Sequence, residues 1–345
     1  MMYVMQTTSW GILGAANIAK KRVVPALAKS THCRAYALAS RDFSRARHAA
    51  DELGIPVSYG SYEELLADDT VDIIYNPLPN TMHVDWSVRA LEAGKHVLCE
   101  KPIASSSQDV RRLLEARDRT GKGVVEAFMV RFHPQWRRVM ELLSQGRIGT
   151  LTSFHGHFSY MNTDEQNIRN RTDVDGGALL DIGCYMVMFS RLVFCSEPAS
   201  VQALVSRDPD FGTDRLTSAL LEYPAAGNYP GGHATFTAST QQVPHQVVQL
   251  VGTSGRIEVD VPVNITDDMP GRIRIDDGSA LDRSGVIVEE IPAADQFTLQ
   301  ADAFAESVQG GEPPEWPLED AVANAAVIEA IFESAQTGRR IRPAV

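Results

Sequence analysis

A short apolar run ending at Leu13 leads through the turn Gly11-Ile12-Leu13-Gly14-Ala15-Ala16 into an amphipathic stretch that begins at Ile18. Small residues at such a junction let the backbone approach an anion while the following helix offers its N-terminal N–H groups. A strand, a tight turn and a helix in this order commit the chain to opening with a β-α-β unit of a parallel sheet. Gly11, Gly14 and Ala16 take the three small-residue places, and Asn17 and Ile18 open the helix. Alanine at the third place makes the pattern weak alone; the strand before it and the helix after it make it a dinucleotide turn.

The same alternation continues to about Ala127. Strands are predicted at Trp10–Leu13, Arg34–Ala39, Ile55–Tyr59, Asp72–Asn76, His96–Cys99 and Gly123–Ala127. Helices fall near Ile18–Ser30, Ser44–Leu53, Tyr62–Ala67, Thr81–Ala93 and Ser107–Thr120, with Gly94 and Gly121 as C-terminal stops. After Gly146 the texture changes to strands joined by Gly- and Pro-bearing turns, at Thr152–Tyr160, Ser200–Arg207, Thr217–Tyr223, His233–Ala238, His245–Leu250 and Arg256–Val259. Helices interrupt at Ala178–Phe194 and close the chain at Gln296–Val308 and Leu318–Thr337. The predicted class is α/β: a doubly wound parallel sheet of the Rossmann type over residues 1–127, then an α+β domain with a mainly antiparallel sheet over 128–345. The cleft between two such domains is the expected site.

The 345 residues are 44% hydrophobic and carry a formal charge of −12, with no basic cluster to follow a phosphate backbone, so nucleic acid is not an expected partner. The start of the chain has no cationic segment followed by a long apolar one, and no apolar run of the length of a membrane span is evident; a cytoplasmic, soluble protein is expected. Cys33, Cys99, Cys184 and Cys195 occur singly and are read as reduced core residues. His155 and His157 share one strand face but lack a third ligand nearby, so no metal is expected.

At the end of the second strand an acid would hold a ribose 2′-hydroxyl; here the chain reads Ala39-Ser40-Arg41, a hydroxyl and a guanidinium suited to a 2′-phosphate. NADP(H) is therefore expected ahead of NAD(H). Asn76-Pro77-Leu78-Pro79-Asn80, with His83, forms a stiff turn at the C-terminal edge of the sheet, where Asn76 or its backbone would meet the nicotinamide side. Glu100-Lys101-Pro102 follows the buried run His96–Cys99, so Lys101 ends a strand beside the expected cofactor, with Glu100 placed to orient it. A desolvated lysine there would hold or move the proton of a reacting alcohol. Asp181 and Tyr185, four apart on one helix, share a face.

Taken together, Gly11–Ala19, Asn76–Asn80 with His83, Glu100–Pro102, Glu126–Met129 with Arg131–Pro134, and Asp181–Tyr185 resemble the glucose-fructose oxidoreductase, inositol dehydrogenase and rhizopine-catabolism (Gfo/Idh/MocA) family over nearly the whole chain. Tyr185, where inositol dehydrogenases commonly have histidine, resembles the branch of trans-1,2-dihydrodiol dehydrogenases and NADP-dependent D-xylose 1-dehydrogenases. That branch commonly has a tyrosine where this chain has Val130. The resemblance implies Lys101 and Tyr185 at the reacting carbon and a second-domain sheet used for homo-oligomer contacts, a dimer or tetramer.

The expected activity is hydride transfer between a nicotinamide and a CH–OH or C=O carbon of a sugar or cyclic polyol. Tyr185 would exchange the alcohol proton, Lys101 tune it, and Asp181 orient the substrate. Arg131, His133 and Arg169 are further substrate-contact candidates, the last within the Asn-, Arg- and Asp-rich loop 162–175. Alternatives are a ketoreductase of a nucleotide-linked sugar and a non-catalytic NADP-binding regulatory protein.

Overall fold

The computed structural model describes residues 7–227 and 229–344; the first six residues of the chain start lie outside them. Two compact units form: Met1–Met129 with Asp295–Val322, and Val130–Ala294 with Ala323–Val345.

In the first unit, β1 (Thr8–Leu13), β2 (Cys33–Ala39), β3 (Val57–Tyr59), β4 (Ile73–Asn76), β5 (His96–Cys99) and β6 (Val124–Glu126) make one parallel sheet in the order β3-β2-β1-β4-β5-β6. The order reverses between β1 and β4, which opens a crevice at their C-terminal ends. The crossovers carry α1 (Val24–Lys29), α2 (Phe43–Leu53), α3 (Tyr62–Leu66), α4 (Asn80–Glu92) and α5 (Ser107–Thr120). Side chains cap them as their sequences dictate: Asp42 accepts from Ser44 and Arg45 N–H, Ser61 from Glu64, and Ser106 from Asp109. Gly54 and Gly121 end α2 and α5 in the left-handed conformation. The unit's core gathers Trp10, Ile12, Leu27, Leu38 and Tyr75 around Ala301, Phe304 and Ala305. Those last three lie on the helix Gln296–Gly310, which the sequence boundary at 127/128 assigns to the other domain. Trp10 meets Phe304 edge to face at 6.4 Å, and Thr298 Oγ1 donates to the Ala26 carbonyl at 3.1 Å.

In the second unit, α6 (Pro134–Ser144) precedes β7 (Leu151–Met161), α7 (Cys184–Phe194), β8 (Ser200–Arg207), β9 (Asp214–Tyr223), β10 (Gly232–Ser239), β11 (Gln241–Gly252), β12 (Arg256–Val259), β13 (Gly271–Asp276) and β14 (Ile287–Ile291); α8 (Gln296–Gly310), which belongs to the first unit, and α9 (Leu318–Thr337) follow in the chain. The eight strands form one sheet, β14-β13-β12-β11-β7-β10-β9-β8, antiparallel except for the parallel pair β7 and β10. α6, β13 and β14 are absent from the sequence prediction. The outer strands are short and charged: Arg272 pairs with Glu290 across β13 and β14, and Arg138 of α6 reaches Glu289 at 2.8 Å. Charged edge strands protect a sheet edge but blunt the hydrophobic alternation used to find it. On one face α7 lies close to β7, where a Cβ on Gly156 would stand 2.6 Å from Met186 Sδ.

Residues Thr172–Phe194 are, by length and composition, apolar enough to cross a membrane, contrary to the sequence reading; 83% of their apolar window is buried inside the protein. Cys33, Cys99 and Cys184 are buried as expected. Cys195 is the correction: it is exposed, at the left-handed end of α7.

Candidate active site

The glycine turn after β1 has the shape an approaching anion requires. Gly14 has φ +82°, its N–H donates to Ala39 O at 2.7 Å, and a Cβ there would lie 3.3 Å from Leu78 Cδ2 and 3.6 Å from the Tyr62 hydroxyl. Gly11 serves packing instead: it lies inside β1, where a Cβ would come within 2.7 Å of Leu65. Ala16 and Ile18 are half-buried and Asn17 exposed, and the chain winds on through a π turn, Ala19–Val23, into α1.

Beyond β2, Ser40 is buried and its hydroxyl accepts from Asp42 N–H at 3.4 Å, while Arg41 is exposed. Burial raises the Tyr62 phenol pKa, and the nearby Arg41 and Arg45 guanidinium groups oppose that rise. Two cations therefore flank a tyrosine that borders the glycine turn. Sequence reasoning missed Arg45 and Tyr62, since α3 brings Tyr62 there only through the fold.

The turn after β4 is braced from within. Asn76, fully buried, donates through Nδ2 to His83 O and Ser87 Oγ, both at 3.0 Å, and its Oδ1 accepts from Leu78 N–H. That side chain braces the loop from inside. Pro77 and Leu78 are buried; Asn80 is the first residue of α4, whose N-cap is Pro79. His83, 1% exposed, sets Nδ1 2.8 Å from Pro102 O and Nε2 2.7 Å from Leu78 O. It therefore joins the loops after β4 and β5 from inside the unit. Burial pushes its pKa down to about 4, and the Lys101 charge presses in the same direction.

Glu100 receives the Tyr75 hydroxyl on Oε1 at 2.7 Å, so a buried tyrosine aims the carboxylate. Lys101 is half-buried at the end of β5, before a cis bond to Pro102. Glu126 accepts from Ile103 N–H at 2.9 Å and steadies the same loop.

In the second unit a π turn, Leu179–Gly183, runs into α7 and carries Asp181; Tyr185 sits one turn further, 4% exposed, with rings of Phe158 and Phe189 at 6.2 and 6.4 Å. Asp181 does not cap the helix. Asp214 of β9 does so, accepting from Leu179 N–H at 2.7 Å and from Thr217 Oγ1 at 2.9 Å. Gly177 makes room for it, since a Cβ there would fall 1.8 Å from Asp214 Oδ1. Asp181 Oδ2 accepts from Tyr160 OH at 2.5 Å and from Arg169 Nε at 2.8 Å. Neither Tyr160 nor Asp214 was foreseen, because each reaches the turn from a strand distant in sequence.

Arg131 is buried in a 3₁₀ turn, and His133, fully buried, caps α6 by accepting Gln135 N–H on Nδ1 at 3.1 Å. His133 thus serves the start of a helix. His155 and His157 line a depression of about 600 Å³ on the face of the large sheet with Leu204, Leu220 and Val247. Among the described residues no group of three metal-ligating side chains occurs.

The model described as an oxidoreductase family with an NAD-binding Rossmann fold matches residues 8–128, and the GFO/IDH/MocA C-terminal domain matches residues 136–258. The chain is 38% identical to a D-xylose 1-dehydrogenase (NADP(+)) of Haloferax volcanii, over 96% of this chain and 98% of the other. It is 34% identical to a trans-1,2-dihydrobenzene-1,2-diol dehydrogenase of Mus musculus, over 72% and 74%. Among solved structures it resembles a 3-ketoreductase of Actinomadura kijaniata in complex with TDP-benzene and NADP, crystallised with a tyrosine replaced by phenylalanine: TM-score 0.89, 30% identity, 95% and 98% covered. The same ketoreductase has been crystallised with a lysine replaced by alanine. The ordered motifs, the parallel sheet with its reversal between β1 and β4, and both domain matches agree, and the chain belongs to the Gfo/Idh/MocA oxidoreductase family.

Proposed function

We propose that this chain is an NADP(H)-dependent oxidoreductase that interconverts an alcohol and a carbonyl on a sugar or cyclic polyol, as an aldose 1-dehydrogenase or a dihydrodiol dehydrogenase. The observation that carries the reading is the turn at Gly14, bordered by Tyr62 with Arg41 and Arg45 beside it. An open glycine turn and two cations fit a pyrophosphate and a 2′-phosphate. Gly14, Ala16, Asn17 and Ile18 would hold the pyrophosphate, and Ser40 and Arg41 the 2′-phosphate. When bound, the nicotinamide supplies a carbon that takes or gives hydride.

The residues of the chain manage the proton. Tyr185 Oη takes the hydroxyl proton in oxidation and returns it in reduction. Lys101 Nζ, placed on its loop by His83 and Glu126, favours the alkoxide character of the reacting oxygen. Asp181 orients the sugar. In domain terms, the first unit, 1–129 with 295–322, binds the cofactor, and the second binds substrate and assembles copies. The sheet face with Leu204, 78% exposed, and Leu220, 43% exposed, supports a homo-oligomer contact. A cytoplasmic location accords with the burial of the apolar helix.

Incubation with NADP+ and a panel of aldoses and cyclic diols, followed by nicotinamide absorbance, tests the reading. Turnover is expected; binding of NADP without turnover on a broad panel would favour a regulatory NADP-binding protein. A ketoreductase acting on a nucleotide-linked sugar is the second reading, favoured by the structural likeness at TM-score 0.89.

A further inference from the structure

Four consecutive residues at the exit of β5 are each tied down. Glu100 N–H donates to the Asn76 carbonyl at 3.0 Å, and Lys101 N–H donates to Glu100 Oε2 at 3.4 Å. The Pro102 carbonyl lies 2.8 Å from His83 Nδ1, and Ile103 N–H donates to Glu126 Oε1 at 2.9 Å. The surrounding β4, α4 and β6 thus set the path of the backbone through Lys101.

One further contact acts on charge instead of backbone. Tyr75 of β4 donates its hydroxyl to Glu100 Oε1 at 2.7 Å, the length of a charge-assisted bond. Its ring, 0% exposed, belongs to the core that holds Trp10 and Leu98, a space phenylalanine would fill equally well. A buried hydroxyl, by contrast, costs stability unless it finds a partner. The acceptor it meets is the carboxylate of the residue preceding Lys101.

Burial raises the Cys99 thiol pKa, and Glu100 and Glu126 add to the rise, so two carboxylates stand at the strand end that presents Lys101. With Oε1 engaged by a rigid aromatic donor and Oε2 by the Lys101 N–H, the Glu100 charge keeps one position at the root of the lysine. A lysine has a flexible stem, and an anion fixed at its root narrows the directions its ammonium can take.

We propose that Tyr75 is a positioning residue of the reaction: its hydroxyl fixes the Glu100 carboxylate, and that fixed charge orients the Lys101 ammonium toward the reacting oxygen. This rests on the oxidoreductase reading above. Tyr75 lies inside the core and acts through Glu100 and Lys101, without touching substrate.

The test uses full-length protein saturated with NADP+ and the panel compound with the highest kcat/KM. Tyr75→Phe should lower kcat by about tenfold, with KM and the NADPH Kd from fluorescence titration within about twofold of the parent. In a Lys101→Met background the same substitution should change kcat by less than about twofold, because the group it serves is gone. Glu100→Gln, on a half-buried side chain, should behave as Tyr75→Phe does in both backgrounds and serves if the tyrosine variant folds poorly.

A folded Tyr75→Phe with parental kcat would overturn the proposal. A loss of about tenfold that persists beside Lys101→Met, or that appears in KM instead of kcat, would overturn it as well. Absence of NADP-dependent turnover in the parent protein would overturn the oxidoreductase reading and this inference with it.

Discussion

The Nδ1 atom of His83 lies 2.8 Å from the carbonyl oxygen of Pro102, so a histidine on α4 grips the loop that carries Lys101. Its Nε2 lies 2.7 Å from Leu78 O on the neighbouring loop. A neutral ring has one N–H and can donate to only one of the two at a time. His83→Leu would leave both carbonyls without this donor in the interior, at about 1–3 kcal/mol for each unsatisfied group. The expected outcome is a lower urea midpoint together with a reduced kcat, measured on the same preparation; an unchanged kcat would remove the positioning role.

Acid should destabilise the protein through its histidines. Burial pushes His83, His96 and His133 down to about 4 from an ordinary value of 6.5. Between those values the unfolded chain takes up protons that the folded chain refuses, so stability falls as pH drops from about 6.5 towards 4. Urea midpoints measured across that range should decline, and His133→Asn, which keeps a capping acceptor, should make the decline shallower.

Asp214 should act with the opposite sign. Burial lifts its carboxyl to about 6, against the Leu179 N–H and Thr217 hydroxyl that favour the charged form. Its folded value lies above the roughly 3.9 of an unfolded aspartate, so its stabilising share is present below about pH 4 and is lost as pH rises through about 6. Asp214→Asn retains an oxygen that accepts both hydrogen bonds and cannot ionise. Its stability relative to the parent should improve from pH 4 to pH 7, read by thermal melting at each pH.

Arg41 should set the cofactor preference. Losing a charge-assisted contact to a 2′-phosphate is worth about 1.5–3 kcal/mol, or about 10- to 100-fold in affinity. Arg41→Ala should weaken NADPH by that factor and leave NADH nearly unaffected in fluorescence titrations. Equal loss for both cofactors would move the 2′-phosphate elsewhere.

Lys101→Met should keep NADPH affinity near that of the parent and lower kcat by about 100-fold or more, the contribution of a positioned acid-base group. Turnover at the parental rate would exclude Lys101 from the chemistry.

Much of this protein is written locally. The run before Gly14, the caps Asp42, Ser61 and Ser106, and the stops Gly54 and Gly121 are short-range signals, and the first unit's strands and helices fall within a few residues of their predicted places. The outer strands β13 and β14 escaped because Arg272, Arg274, Glu289 and Glu290 interrupt their apolar pattern. Cross-strand ion pairs, which exist only once the strands are paired, make that pattern tolerable.

By itself the sequence determined the parallel sheet, the glycine turn, the strand-end Lys101 and the shared turn of Asp181 and Tyr185, since these depend on spacing along the chain. Only the tertiary structure decided what surrounds them. It turned Asn76 and His83 inward as loop braces, brought Tyr160 and Arg169 to Asp181, and set Asp214 beneath Leu179. It also returned the helix Gln296–Gly310 to the core around Trp10. Those partners lie from seven to nearly three hundred residues apart in sequence, and a buried polar group pairs with whichever partner the fold delivers within hydrogen-bonding reach.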